Sequence, residues 1–211
     1  MRATQREFLD LALASGVLKL GEFTLKSGRQ SPYFFNLGLI SSGAAMRRLG
    51  QLYARALLDS GLEFDSLFGP AYKGIPLVTS VAMALSELGH DRPYAYNRKE
   101  AKTHGEGGQL VGTQVTGRVL IVDDVITAGT AVREALGLIR AAGAQPAGLL
   151  IALDRQERGT DKLSAVQELR AEGLQVISVI TLDDVEHYLA ELGGFDAELA
   201  AISRYRASYG V

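Results

Sequence analysis

Two adjacent carboxylates, Asp123 and Asp124, follow an apolar run from Val119 to Val122 and precede a loop of small residues, Val125-Ile126-Thr127-Ala128-Gly129-Thr130, that feeds a helix opening at Ala131. The apolar run is the pattern of a strand buried on both faces, and open α/β sheets place their ligands at the carboxyl ends of such strands. The loop offers hydroxyls at Thr127 and Thr130 and a flexible backbone at Gly129. A helix amino terminus adds free N–H groups and the positive end of a dipole, which together make a phosphate cradle. Acid pair and cradle side by side suit a sugar phosphate, with hydroxyls on the carboxylates and the phosphate in the loop. A plain βα turn with solvated, capping acids explains part of this, as does a receiver-like acidic pocket for Mg²⁺. The ordered run of acids, Thr-Ala-Gly-Thr and helix start favours the sugar phosphate.

Three further clusters carry charge or rings. Gly69-Pro70-Ala71-Tyr72-Lys73-Gly74 follows the strand-like Ser66-Leu67-Phe68 and precedes a helical stretch. It repeats the strand–loop–helix geometry, with glycines for close backbone approach to a ligand and a point charge at Lys73. A lone Lys in such a loop is usually solvated; a second phosphate-type loop on one sheet edge argues for function. The segment Asn97 to Thr116 holds Arg98, Lys99, Lys102 and His104, then Gly105, Gly107 and Gly108, with little to bury. A long loop without structure of its own is functional or disordered. This one reads as a mobile, basic, Gly-hinged flap that closes on an anionic leaving group. Near the amino end, Phe34 and Phe35 are neighbours in a strand-like stretch, so they point to opposite faces and only one can serve a given core.

The elements that must position these groups are legible in outline. Thr4 with Glu7 suggests a capping box for a helix over about 5–14, closed by Gly16. Short strand pieces at Val17–Leu20, Phe23–Lys26 and Tyr33–Leu37 suggest a small β-rich lobe. Ser42 to Ser60 has helical spacing at Leu49, Leu52, Tyr53, Ala56 and Leu57. Strands are expected near 65–69, 93–96, 118–123, 147–153 and 175–180, with helices near 74–88, 130–142 and 161–172, and one or two helices over Asp183 to Tyr209. This alternation predicts an α/β fold: a parallel sheet core flanked by helices, a small N-terminal β-rich hood over about 17–40 and a long flap over about 97–116. The 211 residues suit one domain, 1–211. Hydrophobic residues make up 47%, ample for a core. Net charge is −2 with pI about 6.0, so no global basic field draws the chain to nucleic acid or membrane. With Cys absent there is no disulfide, thiolate metal site or Cys nucleophile. The first residues lack an apolar leader and no stretch is long enough to span a bilayer, which makes a cytoplasmic protein the expectation.

Val119 to Glu134 resembles the phosphoribosyl diphosphate (PRPP) motif of type I phosphoribosyltransferases. Phe23 to Asn36 is similar to the hood of the orotate phosphoribosyltransferases, Arg98 to Lys102 with His104 to Gly108 to their catalytic flap, and Leu153 to Arg158 to their base-recognition strand end. The resemblance runs from about Phe8 to Gly159 with all motifs in family order; Thr103 stands where an acidic residue is expected.

It implies transfer of the 5-phosphoribosyl group from PRPP to orotate, giving orotidine 5′-monophosphate and pyrophosphate in de novo pyrimidine (UMP) biosynthesis. The implied PRPP site takes Lys26, Tyr72, Lys73, Arg98, Lys99, Lys102 and His104 with the loop Asp123, Asp124, Val125, Ile126, Thr127, Ala128, Gly129, Thr130 and Ala131. Asp123, Asp124, Lys102 and His104 are the implied catalytic groups. Orotate would lie on Phe34 and Phe35, with Thr127 and Arg155 on its carboxylate and carbonyl edge. An Arg fork is the natural reader of a planar carboxylate; the competing reading of Arg155 is a strand-end surface residue paired with Asp154 or Glu157. Mg²⁺ is the implied cofactor, held through PRPP and water with no direct protein ligand. A homodimer with shared active sites is implied, and neither nucleic acid nor membrane is a partner. Two alternatives remain: a phosphoribosyltransferase for another base, which Arg155 argues against, and a non-catalytic PRPP-sensing regulator, which would need a nucleic-acid surface.

Overall fold

The computed structural model describes residues 1–25, 27–102, 108–126, 129–159 and 162–211, with only the backbone described at 101, 102 and 108. Lys26, Thr103, His104, Gly105, Gly107, Thr127 and Ala128, and the side chain of Lys102, for which the sequence sets expectations, lie outside the described residues.

A six-stranded sheet organises the chain. Its strands are β3 (Ser66–Gly69), β4 (Tyr94–Lys102), β5 (Gly108–Gly112), β6 (Arg118–Val122), β7 (Gln145–Asp154) and β8 (Gln175–Thr181), in the order β5-β4-β3-β6-β7-β8. All neighbours are parallel except β5, which pairs antiparallel with β4 at one edge. The apolar strand residues divide between two layers by simple alternation. Leu120 and Val122 of β6, with Leu150 and Ala152 of β7, face one layer, built with α1 (Ala3–Ala14), α2 (Gly43–Ser60), α3 (Gly74–Glu87), α6 (Leu182–Leu192) and α7 (Asp196–Tyr209). Val119, Ile121, Leu149 and Ile151 face the other, covered by α4 (Thr130–Ala141) and α5 (Ala165–Ala171). Both faces of the central strands are covered, as their unbroken apolar runs require.

The hood is an antiparallel hairpin of β1 (Leu18–Thr24) and β2 (Gln30–Phe35). Gly21 does not end a strand, as the short pieces suggested; the register slips between Leu20 and Phe23 and β1 runs through, a bulge that keeps pairing on either side. Other boundaries also differ from the sequence reading. Helix α1 starts at Ala3, with the Arg2 N–H donating to Gln5 Oε1 (2.9 Å). Glu7 takes no part in a cap and instead pairs with Arg48 and Arg55 of α2. Helix α5 begins only at Ala165, where Ser164 and Gln167 form the capping box. The segment read as an irregular flap has structured arms: β4 extends through Lys102 and β5 returns from Gly108, with Tyr96 opposite Val111 and Lys102 opposite Gly108.

Candidate active site

Asp123 and Asp124 sit just past β6, and the main chain fixes them there. The Asp123 N–H donates to Leu150 O (3.0 Å) and the Ala152 N–H to Asp124 O (2.8 Å), so pairing with β7 continues under both acids. From below, the Tyr53 hydroxyl on α2 donates to Asp123 O (3.1 Å). Each acid keeps only 7% of its surface exposed. Asp123 Oδ1 accepts the Asp124 N–H (2.9 Å), and Asp124 Oδ2 takes Lys73 Nζ at 2.6 Å. Burial pushes the Asp123 carboxyl up to about 7, and the charge of Asp124 adds to the rise; the Asp124 N–H and Lys73 pull the other way. Ionising Asp123 beside Asp124 is therefore costly, and hydroxyl donors or a cation would relieve that cost.

Lys73 reaches Asp124 from the loop after β3, so the two phosphate-type loops of the sequence reading meet at one sheet edge. The glycines of that loop also serve its own packing. A Cβ on Gly69 would lie 2.3 Å from Gly74 O, and one on Gly74 would lie 2.6 Å from Pro70 Cδ and 3.0 Å from Val122 O. The close approach is of the loop to itself and to β6, and it is this packing that brings Lys73 against the acids. Asn97 closes the loop from β4: its Oδ1 accepts the Ala71 N–H (2.9 Å). Tyr72 stands exposed at the rim with Lys99 Nζ 5.7 Å from its ring centroid, while Arg98 is half-buried.

On the far side of the acids, Val125 packs on one core layer and Ile126 is buried in the other. Gly129 holds φ 71 as the residue before α4, a left-handed turn that favours glycine. Thr130 and Ala131 then open the helix on the surface, where first-turn N–H groups have no intrahelical acceptor.

The adjacent phenylalanines divide as the strand geometry demanded. Phe35 is 5% exposed and stacks on Phe8 (6.4 Å), whereas Phe34 is 36% exposed and leans on Phe23 (5.6 Å). Arg155, just past β7, has the Glu157 partner of its competing reading but not the surface position. It pairs with Glu157, yet it is no surface residue: the side chain is 11% exposed, with Nε and Nη2 both on Glu157 Oε1 (3.1 and 2.9 Å) and its guanidinium 4.8 Å from the Tyr33 ring centroid.

Three of these partners were not picked out from sequence. Tyr53 reads as one member of an apolar helical stripe, and nothing in the pattern announces that its hydroxyl supports an acid 70 positions away. Asn97 was read only as the start of the flap. Tyr205, whose hydroxyl donates to Glu157 Oε2 (3.1 Å), lies beyond the recognisable motifs, and its only signal is its place among the aromatics of the last helix.

Residues 41–178 match the Phosphoribosyl transferase domain family. The chain is 58% identical to an orotate phosphoribosyltransferase of Photobacterium profundum and 60% identical to one of Thioalkalivibrio sulfidiphilus, each over the whole of both chains. The crystal structure of orotate phosphoribosyltransferase from Francisella tularensis superposes with a TM-score of 0.89 at 40% identity, covering 97% of this chain and 99% of that one. The chain belongs to the orotate phosphoribosyltransferase family. The same fold occurs within Leishmania donovani UMP synthase, of which this chain spans 42% at a TM-score of 0.76 and 25% identity. The acids past β6, Lys73 on the loop after β3 and the largely covered Arg155 past β7 all lie along one edge of the sheet. Among the described residues, no helix is long and apolar enough to cross a membrane.

Proposed function

We propose that this chain transfers the 5-phosphoribosyl group of PRPP to orotate, releasing pyrophosphate and giving orotidine 5′-monophosphate on the route to UMP. The acid pair carries the reading: two buried carboxylates past a central parallel strand, one countered by a lysine of the neighbouring loop, beside an open helix amino terminus. In this reading Asp123 and Asp124 orient the ribose hydroxyls. They also lie beside the positive charge that grows at the anomeric carbon as its bond to pyrophosphate breaks, the electron pair leaving with the pyrophosphate. A ring N–H of orotate gives up its proton to solvent, and the nitrogen supplies the pair for the new bond. Thr130 and Ala131, with Gly129, offer N–H groups to the 5-phosphate. Tyr72, Lys73, Arg98 and Lys99 face the pyrophosphate, joined by Lys26, Lys102 and His104. Phe34, Thr127 and Arg155 receive orotate.

The donor set suits a divalent ion carried in by substrate. Two carboxylates, one already paired to Lys73, complement a cation that keeps water and phosphate oxygens around it. Mg²⁺ bound in that way supplies charge neutralisation to the leaving pyrophosphate.

All of this belongs to a single domain, 1–211, acting as a homodimer in which each flap serves the partner's site. Tyr72, Pro76, Met83 and Leu88 lie exposed along and beside α3, an apolar surface of the kind that a symmetric contact covers. Both substrates are charged and do not cross a bilayer unaided, so the cytoplasm is the expected compartment. Mixing the protein with Mg²⁺, PRPP and orotate should produce a time-dependent loss of orotate absorbance. No loss, or turnover of a different base in place of orotate, overturns the assignment.

A further inference from the structure

Glu157 takes four donors from three side chains. Its Oε1 accepts from the Tyr33 hydroxyl (2.5 Å) and from Nε and Nη2 of Arg155, and its Oε2 accepts from the Tyr205 hydroxyl (3.1 Å). Three of the four donors crowd Oε1 and one meets Oε2, so most of the accepting capacity of Glu157 is spent within the protein. It holds Arg155 against the face of Tyr33, whose ring also meets Tyr205 edge-on (6.3 Å, 86°).

The backbone around this carboxylate is tied from three elements. Arg29 of the hood reaches Arg158 O and Gly159 O (both 2.9 Å). Gln156, with φ 50, exchanges hydrogen bonds with Asp183 of α6. The end of the chain lies alongside as a third rail: Arg158 N–H donates to Tyr209 O (2.9 Å), Val211 N–H to Gln156 O (3.1 Å), and Glu157 bridges Gly210.

We infer that Glu157, clamped by Tyr33 and by Tyr205 of the last helix, is a positioning residue that sets the orientation of Arg155 for base recognition, so that α7 contributes to orotate selection without touching orotate. The inference rests on the assignment of Arg155 to orotate. An arginine left to choose its own rotamer presents its fork in many directions; one pinned on two N–H groups and stacked on a ring presents it in one.

The test is a set of Michaelis constants for each substrate in four variants. Arg155→Ala should raise the orotate constant by roughly ten- to a hundredfold, as loss of a charge-assisted bidentate contact does, with the PRPP constant nearly unchanged. Glu157→Gln should raise the orotate constant on the order of tenfold, as loss of an outer partner typically does, again sparing PRPP. Tyr205→Phe, which removes one hydroxyl and keeps the ring, should move the same constant the same way by less. In the Arg155→Ala background, Glu157→Gln should add nothing, because residues acting through one group are not additive. If Arg155→Ala leaves the orotate constant alone, the base assignment itself fails and this inference with it. If Arg155→Ala raises it while Glu157→Gln and Tyr205→Phe do not, the assignment stands and the positioning role is wrong. Equal changes for both substrates, or full additivity with Arg155→Ala, would reduce Glu157 to a general structural role and overturn the inference.

Discussion

The loops that follow β6 and β7 leave neighbouring strands at one edge of the sheet, yet they are held in different ways. The first is fixed by main-chain pairing under Asp123 and Asp124, and its carboxylates crowd each other with Lys73 countering one of them. The second is tied by side chains from the hood, α6 and α7, and its glutamate is engaged by Arg155 and two tyrosine hydroxyls. One loop holds an acid whose ionisation is costly until a ligand relieves it; the other balances its charge internally and obtains a fixed geometry. In the proposed function, phosphate and ribose chemistry needs electrostatic potential at the first loop, whereas recognition of a planar base needs direction from the second. The two demands place opposite requirements on adjacent loops.

Removing charge from the first loop should have the largest effect. Asp124→Asn keeps shape and hydrogen-bonding capacity but deletes one negative charge, and turnover should fall on the order of 10²–10³-fold while the melting temperature stays close to that of the parent. An Asp123→Asn, Asp124→Asn double variant with undiminished turnover would end the contrast, because the carboxylates would then have no part in the chemistry.

A smaller but more telling effect is expected from mixing two inactive proteins. Lys102→Ala should lower turnover more than substrate affinity, since a flap meets the leaving group best near the transition state. Combined with Asp124→Asn subunits, it should regain activity in roughly half the dimers, those that pair an intact acid site with an intact flap. If subunits exchange and no activity returns, each chain closes its own site.

The smallest effect is on stability, and its sign follows from the Asp123 carboxyl at about 7 against an ordinary 3.8. Between those values the folded chain holds a proton that the unfolded chain has released, so stability falls as pH rises through the window and the cost is fully present above it. Asp123→Asn mimics the protonated form and keeps an oxygen for the Asp124 N–H. It should raise the melting temperature at pH 8, with the gain shrinking towards zero near pH 4. A gain of equal size at both values would mean that Asp123 does not ionise in this window.

Much of the sheet was legible in advance because parallel strands buried on both faces leave unbroken apolar runs, and β6 and β7 do so at Val119–Val122 and Leu149–Leu153. The acid pair was legible for the same reason, since two charges ending such a run stand out. Phe34 and Phe35 were separable by strand alternation alone. Tyr53 under Asp123, Asn97 on the β3 loop and Tyr205 on Glu157 were not, because each acts through one polar atom across a long stretch of chain while the rest of the side chain obeys an ordinary packing or loop pattern. The arms of the flap were missed because Gly, Lys and Arg weaken the strand pattern, and the pairing of β4 with β5 overrides that local preference.

That pairing has a consequence for anyone shortening the protein. As the outermost strand, β5 covers the hydrogen-bonding rim of β4 from Ala95 to Asn97, and through it the rim of the whole parallel core. A bare, straight rim of this kind invites other chains to add to it. Cutting out the flap together with its second arm would therefore expose a template for aggregation, and the resulting loss of activity would report on solubility as much as on catalysis.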